Sequence, residues 1–380
     1  MKPQITVVGL GTRGMPRVLG GAENYCEQLL PRLAARDASV RFVLLARKGY
    51  VEADRATHKG VEVIALWAPK HKYFEAFVHT LISAFYARFV LKARAVHIQA
   101  IGPGLIAPIA KLLGMQVIVT HHSRNYLHAN WNGFARKALR FGEWCAVTFA
   151  DAVIAVSPSM AAELRARFPA RAAKVFHVPN GATEFPTAER DASALLARFG
   201  VERDKYAIAV GRFVPEKGFH DLIPAFKQAN TDLKLLIVGR ADHADDYSRA
   251  LEAQASENVI FAGFVDHATL GPLYRNAGLF VLSSHHEGMP LSVLEAVSQG
   301  APVLLSDIEA CTDLGLPAQN YFKVGDIADL AGKLRADPKT YRVAAETFLR
   351  KYRWDEVADE TARIYASVLQ DRFESVTARA

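Results

Sequence analysis

Along the first 180 residues, short apolar runs alternate with longer amphipathic stretches. The runs at 5–9, 40–46, 61–66, 95–100, 116–120, 152–156 and 175–178 predict strands. The stretches between them at 22–35, 74–92, 134–149 and 158–168 carry helical apolar spacing. This alternation of strands and helices implies a parallel sheet with helices on both faces. The pattern pauses at the turn signal Val178-Pro179-Asn180-Gly181 and then restarts. A second set of strands is predicted at 206–210, 233–238, 259–262, 279–283, 303–306 and 321–324, again with helices between. The reading is two doubly wound α/β domains, 1–180 and 181–353, followed by a tail over 354–380. Helical apolar spacing continues from Trp354 to about residue 373. Ligands bind beyond the carboxyl ends of strands in open parallel sheets, so the expected site is the cleft between two such domains.

Length and composition fit this picture. A chain of 380 residues exceeds one ordinary hydrophobic core, and 51% hydrophobic with 22% charged residues is ordinary for a globular protein. The N-terminus has no basic segment followed by an apolar one, so no signal peptide is expected. No apolar run is long enough to span a bilayer. Cys26, Cys145 and Cys311 lie far apart, without metal-ligand spacing, and read as thiols in a reducing cytoplasm.

Charge is uneven. Residues 1–180 carry 24 Lys+Arg against 10 Asp+Glu, a net of +14, whereas 181–380 carry 22 against 29, a net of −7. A basic half can face anionic lipid, nucleic acid or an acidic acceptor, or serve only solubility. Lys70, Lys72, Arg88, Lys92 and Arg94 lie on or beside the aromatic-rich segment 74–90. Such a segment can lie in a membrane interface with its cations near lipid head groups. It can equally pack its apolar face on the first sheet with its charges solvated.

Gly9, Gly11 and Gly14 spell a dinucleotide-type GxGxxG after the first strand. Met15-Pro16 follows where a helix should run, and the second strand ends in Arg47-Lys48 where an acidic residue should bind ribose. Nicotinamide and flavin cofactors are therefore not expected. The long glycine-rich loop from Gly9 to Gly21 instead offers backbone N–H groups and a helix start to an anion.

The chemistry concentrates in the second domain. Gly211-Arg212-Phe213-Val214-Pro215-Glu216-Lys217-Gly218 follows a strand and places two fixed cations before a helix. A departing diphosphate needs such charges. Downstream lies Glu287-Gly288-Met289-Pro290-Leu291-Ser292-Val293-Leu294-Glu295-Ala296. Pro290 fits the first turn of a helix, and the N–H groups of Met289 and Leu291 would point out of its start. Glu287 would precede the helix and Glu295 lie within it, and a carboxylate can accept hydrogen bonds from two sugar hydroxyls. The acidic pair Asp245-Asp246 is adjacent, and no grouping has the spacing of a divalent-metal site. His285 and His286 read as surface or supporting residues.

The blocks GRFVPEKG and EGMPLSVLEA, in this order and at this distance, resemble the two signature blocks of the retaining family-4 glycosyltransferases. Gly20-Gly21-Ala22-Glu23 resembles their N-terminal glycine-rich loop, and Thr120-His121-His122 their T-x-H. The opening GTRGMPRVLGGAE and the stretches 120–131 and 287–307 look most like a bacterial rhamnosyltransferase-like subgroup. The resemblance implies the GT-B fold, with the tail helix crossing back to the first domain. It implies that Arg212 and Lys217 bind the donor diphosphate and that Glu295 holds the ribose. Glu287 and the backbone of Gly288 to Leu291, with Gly211, Gly20 and Gly21 around the donor, would complete the site, and His122 would lie beside the transferred sugar. No metal or other cofactor is implied. The expected partners are a nucleotide diphosphate sugar and a glycan or lipid-linked acceptor, without nucleic acid; the expected location is the cytoplasm, with the basic half offering attachment to the anionic inner face of the cell membrane. A nucleotide-sugar epimerase on the same fold, or a non-catalytic sugar-nucleotide-binding subunit, remains the alternative.

Overall fold

The computed structural model describes residues 5–18, 20–71, 74–127, 133–185, 192–241 and 244–370. Residues 1–4, Lys72, the 128–131 part of the stretch 120–131, and the tail beyond 370 lie outside them. The chain divides into two units, one of residues 1–180 with 354–380 and one of residues 181–353.

The first unit holds β1 (Ile5–Leu10), β2 (Val40–Arg47), β3 (Arg55–His58), β4 (Val61–Leu66), β5 (Ala95–Gln99), β6 (Gln116–His121), β7 (Ala152–Ala155) and β8 (Val175–His177). Their order across the sheet is β3-β4-β2-β1-β5-β6-β7-β8, so the chain starts in the middle and winds outward both ways. All neighbours are parallel except β3, which returns antiparallel on β4. The covering helices are α1 (Gly21–Arg36), α2 (Glu75–Phe89), α3 (Ala107–Leu112), α4 (Gly133–Phe149) and α5 (Pro158–Arg167). Pro158 opens α5 behind a Ser157 cap, where a missing N–H costs nothing.

The second unit holds β9 (Tyr206–Val210), β10 (Lys234–Val238), β11 (Val259–Gly263), β12 (Leu279–Leu282), β13 (Val303–Ser306) and β14 (Tyr321–Phe322). All pair in parallel, in the order β11-β10-β9-β12-β13-β14. Between them run α6 (Ala192–Arg198), α7 (Phe219–Ala229), α8 (Asp246–Glu252), α9 (His267–Arg275), α10 (Leu291–Ser298), α11 (Glu309–Thr312), α12 (Ile327–Leu334) and α13 (Ala345–Leu349). The topological switch falls at β9 and β12, where strand order reverses and a ligand crevice is expected.

The last helix, α14 (Trp354–Gln370), belongs to the first unit. Trp354, Val357, Ala358, Ile364, Tyr365, Val368 and Leu369 join the core built by β1, β2 and α1. Tyr365 seals this junction: its hydroxyl meets Nδ1 of buried His97 at 2.6 Å, and its ring stacks near Phe42. No helix among the described residues is long and apolar enough to cross a membrane. The three cysteines are free and buried.

Helix α2 is the reverse of an ordinary surface helix. Its buried face is His79, Thr80, Ser83, Ala84 and Ala87. Its large apolar side chains point outward: Phe77, Phe85 and Phe89 are exposed, with Phe74 and Val90 at its ends. Of the two orientations the sequence left open, the helix does not take the one that lays these aromatics on the sheet. Small residues let the helix sit close to the sheet, and no space remains there for aromatics.

Candidate functional site

In the second unit, the parallel pairing of β9 with β12 brings their carboxyl ends to the same edge of the sheet, and two loops leave from there. The first runs from Gly211 to Gly218, where α7 begins. Gly218 adopts a left-handed conformation at φ 66°, and a Cβ there would lie 1.9 Å from the Ser283 carbonyl oxygen. Only glycine meets both demands. The loop after β12 is laced to it: the Ser283 hydroxyl donates to the Lys217 carbonyl at 2.9 Å, and His285 N–H donates to the Glu216 carbonyl at 2.8 Å.

This lacing joins residues 70 apart. Lys217 Nζ lies 2.6 Å from Glu287 Oε1, and the Ser284 hydroxyl donates to the same oxygen at 2.7 Å. Both side chains are mostly shielded, at 21% and 12% exposed, so the attraction is stronger than a surface pair would feel. Arg212 is exposed, and a Cβ on Gly211 would press on the Lys217 stem at 3.2 Å. Gly288, Met289 and Pro290 are buried, and Leu291 is half-buried. Pro290 is the residue before α10 and not in its first turn, with ψ of 100°. The expected placement is thereby shifted one residue, because the helix takes Leu291 as its first member.

Glu295 is buried inside α10, at 6% exposed. The Thr183 hydroxyl donates to Oε1 at 3.0 Å and the Tyr274 hydroxyl to Oε2 at 3.2 Å. Burial pushes its carboxyl pKa up, with His267 and these two hydroxyls opposing. A carboxylate has about four acceptor positions, so two remain for further hydroxyls. Thr183 and Tyr274 carried no motif signal, since only the fold brings them to Glu295.

In the first unit, His122 directly follows β6 and half-buries against Tyr25, whose ring meets it edge-on at 4.9 Å. Its Nε2 lies 2.8 Å from Gln99 Oε1. Burial, with some repulsion from His121, lowers its pKa to about 3, so the ring is neutral at physiological pH. His121 points elsewhere, as successive strand residues do. It meets buried Glu143 at 2.9 Å, and Arg167 pairs with the same carboxylate at 2.7 Å. Burial pushes the Glu143 carboxyl up, but His121 and Arg167 outweigh this and hold it below the ordinary value. Glu143 is the buried carboxylate that the sequence did not single out; its signal is its place on the core face of α4.

Gly20 precedes α1 at φ 145°, and Gly21 has open space where a Cβ would stand. The glycine-rich loop spends two of its amides within the chain: Arg13 N–H donates to Glu23 and Arg17 N–H to Glu27, each at 2.9 Å. The helix begins seven residues after Gly14, which departs from the dinucleotide fingerprint, and Arg47 at the end of β2 pairs with Glu75 at 3.7 Å. Asp245 caps α8 by accepting from Ser248 N–H, and Asp246 pairs with Arg249. Contrary to the spacing argument, three ligand-type residues do meet: His220, Asp221 and His285 place their donor atoms within 4.8 Å of one another. His285 comes from 64 residues away, so no linear spacing could show it.

Residues 20–181 match the glycosyl transferase 4-like domain family, and residues 197–336 match glycosyl transferases group 1. Glycogen synthase of Mycobacterium tuberculosis is 28% identical over 274 residues, covering 68% of this chain and 64% of that protein. The match thus spans less than two thirds of that relative. The α-maltose-1-phosphate synthase of Mycolicibacterium smegmatis is 26% identical over 307 residues, 73% of this chain and 79% of that one. Among solved structures, sucrose-phosphate synthase of Thermosynechococcus elongatus superposes with a TM-score of 0.79 at 21% identity, over 97% of this chain and 100% of that one. HepE of Anabaena, solved with UDP-glucose, gives 0.74 at 18% identity over 96% and 100%. The two parallel-sheet α/β units have the GT-B fold, and the two glycosyltransferase family models match one unit each, in order.

Proposed function

We infer that this chain moves a glycosyl unit from a nucleotide diphosphate sugar to an acceptor, with retention of configuration. The Lys217–Glu287 contact carries the reading, because it joins the two signature blocks at one point of the second unit. Glu287 neutralises Lys217. An arriving diphosphate competes for the ammonium and releases Glu287 towards the hydroxyls of the donor sugar. Arg212, exposed on the same loop, adds a second cation, and Glu295 uses its remaining acceptor positions for ribose. As the glycosidic bond breaks, charge builds on the diphosphate and the two cations stabilise it. A double displacement needs a carboxylate beneath the anomeric carbon. Glu143 does not suit that role, being held by His121 and Arg167, so departure and entry on the same face is the preferred course. The neutral His122 serves as a hydrogen-bonding partner for the sugar or acceptor and not as a cation. HepE, whose structures hold UDP-glucose, supports a nucleotide-sugar donor.

The purified protein, offered a panel of nucleotide sugars, is expected to be thermally stabilised by one of them and to hydrolyse or transfer it with retained anomeric configuration, read by NMR. Inverted product, or no stabilisation by any donor, would sink the reading. Transfer is expected to survive exhaustive chelation; loss on chelation with recovery on added magnesium or manganese would overturn metal independence.

The acceptor is proposed to be a glycan or lipid-linked saccharide of a bacterial surface polysaccharide, met at the cytoplasmic membrane face. The rhamnosyltransferase-like subgroup rests on sequence stretches alone. Membrane attachment has stronger support. Beside the outward aromatics of α2, helix α4 exposes Phe134, Phe141 and Trp144, and Arg136, Lys137 and Arg140 are exposed with them. Both helices contact the turn Pro103–Ile106, so they are neighbours in the first unit. Aromatics interleaved with cations suit the interface of an anionic bilayer.

A further inference from the structure

We propose that His220, Asp221 and His285 form a binding site for a zinc-type divalent transition-metal ion, separate from the chemistry of transfer. Two imidazoles bracket one carboxylate. His285 Nε2 lies 2.6 Å from Asp221 Oδ2, and His220 Nε2 lies 3.7 Å from Asp221 Oδ1. The rings are stacked nearly parallel, 7° apart with centroids 5.5 Å apart. Two nitrogens and one oxygen, all within 4.8 Å of one another, form a three-ligand set of the kind that water completes to a tetrahedron. Magnesium and calcium prefer all-oxygen sets, whereas imidazole with carboxylate suits zinc and its neighbours. His220 is exposed on the first turn of α7 and can swing the short distance that tetrahedral coordination at about 2.0–2.1 Å requires.

The surroundings resemble those of a ligating histidine. His220 Nδ1 lies 3.0 Å from the Tyr247 hydroxyl, which fixes the ring and leaves Nε2 to face the carboxylate. His285 is anchored through its backbone N–H on the Glu216 carbonyl, and Gly218 packs against Ser283 just beneath. The positive end of α7 opposes a cation, and the Asp221 carboxylate supplies the compensating charge. Asp221 is 15% exposed and His285 37%, so an ion can enter from solvent. Bound there, it clips the start of α7 to the loop that carries Glu287 and stiffens the second unit.

The test uses the full chain, stripped of metal with a chelator and titrated with zinc alone by equilibrium dialysis. The expected result is one ion per chain, weakened at least tenfold in both His220→Gln and His285→Gln, and not displaced by a hundredfold excess of magnesium. Zinc is also expected to raise the melting temperature of the wild type and not that of His220→Gln, whose melting temperature in chelator should equal the wild type's. No ion at one per chain, or equal binding by both variants and the wild type, would overturn the proposal. Neither readout involves donor or transfer, so its failure leaves the glycosyltransferase reading untouched.

Discussion

The two units handle their polar site residues in opposite ways. In the second unit, opposite charges meet where Lys217 pairs with Glu287. In the first, the site histidine is kept neutral by burial and held by an amide oxygen and an aromatic edge. A diphosphate is strongly charged whatever sugar it carries, so fixed cations suit its recognition. A neutral acceptor hydroxyl gains little from full charges and much from oriented dipoles. On the proposed reading, charge would mark the donor side and burial the other side.

Removing the cations is the sharpest way to break this contrast. Lys217→Ala and Arg212→Ala are each expected to lower kcat on the order of 10²–10³-fold, by analogy with single transition-state donors. Melting temperature should move little, because both side chains leave a loop and fill no core. Near-normal turnover in both variants would remove the diphosphate assignment.

Glu295 combines the two modes, being charged in type but buried. Glu295→Gln is expected to raise the donor KM about 10–100-fold, the worth of a charged hydrogen bond of about 1.5–3 kcal/mol. Its stability effect has the opposite sign. Burial raises the folded-state pKa, so ionisation disfavours the fold once pH passes the unfolded value, and the cost grows until pH exceeds the folded one. The variant should therefore melt no lower than wild type at neutral pH, with any advantage vanishing in acid. A markedly lower melting point at pH 7 would show that Glu295 serves the fold and not the donor.

The neutral histidines predict an acid weakness confined to the first unit. Burial lowers His97 and His122 to about 3 and His79 to about 4. The unfolded chain binds their protons from about pH 6.5 downward, while the folded chain does so only near those lower values. Stability from these groups is thus present above about pH 6.5 and is lost as pH falls towards 3–4, at up to about 1.4 kcal/mol per pH unit for each ring. Hydrogen exchange should show first-unit amides, such as those of β5 and β6, losing protection before those of β9 and β12. Simultaneous loss in both units, or loss in the second first, would contradict this.

The sheets were legible where burial is uniform. Val61–Leu66, Tyr206–Val210 and Val303–Ser306 stand where their apolar runs place them. Arg55–His58 gave no such signal, because an exposed edge strand needs no apolar run. The two signature blocks were legible as local motifs, but the Lys217–Glu287 pair, the Glu143 network and the His220–Asp221–His285 cluster arise from long-range packing. For helix α2 the sequence left two orientations open for the same reason. Its apolar pattern is real, yet the face chosen for burial is the one with Ala84 and Ala87, which only the depth available against the sheet decides.

That outward face supplies the smallest expected effect. Phe85 and Phe89 stack on each other at 6.2 Å while exposed, and Phe141 stacks on Trp144 at 5.6 Å. Aromatics left in water in this way represent unused burial of about 1.5–3 kcal/mol for a fully inserted phenylalanine, and less for one partly inserted. Each cation near an anionic surface adds about 1 kcal/mol, declining with salt. Single changes Phe89→Ser or Phe134→Ser should therefore weaken co-sedimentation with anionic vesicles only about 3–10-fold, without lowering the melting temperature. The double change with Arg88→Gln should weaken it further and flatten its salt dependence. Two controls separate insertion from mere charge attraction. Neutral vesicles should bind weakly at any salt, and high salt should reduce binding of the wild type more, as a fold-change, than either serine substitution does at low salt. Vesicle binding that ignores both lipid charge and these aromatics would leave the charge asymmetry as a solubility device. The acceptor would then be sought among water-soluble glycans, with the charged donor side unaffected.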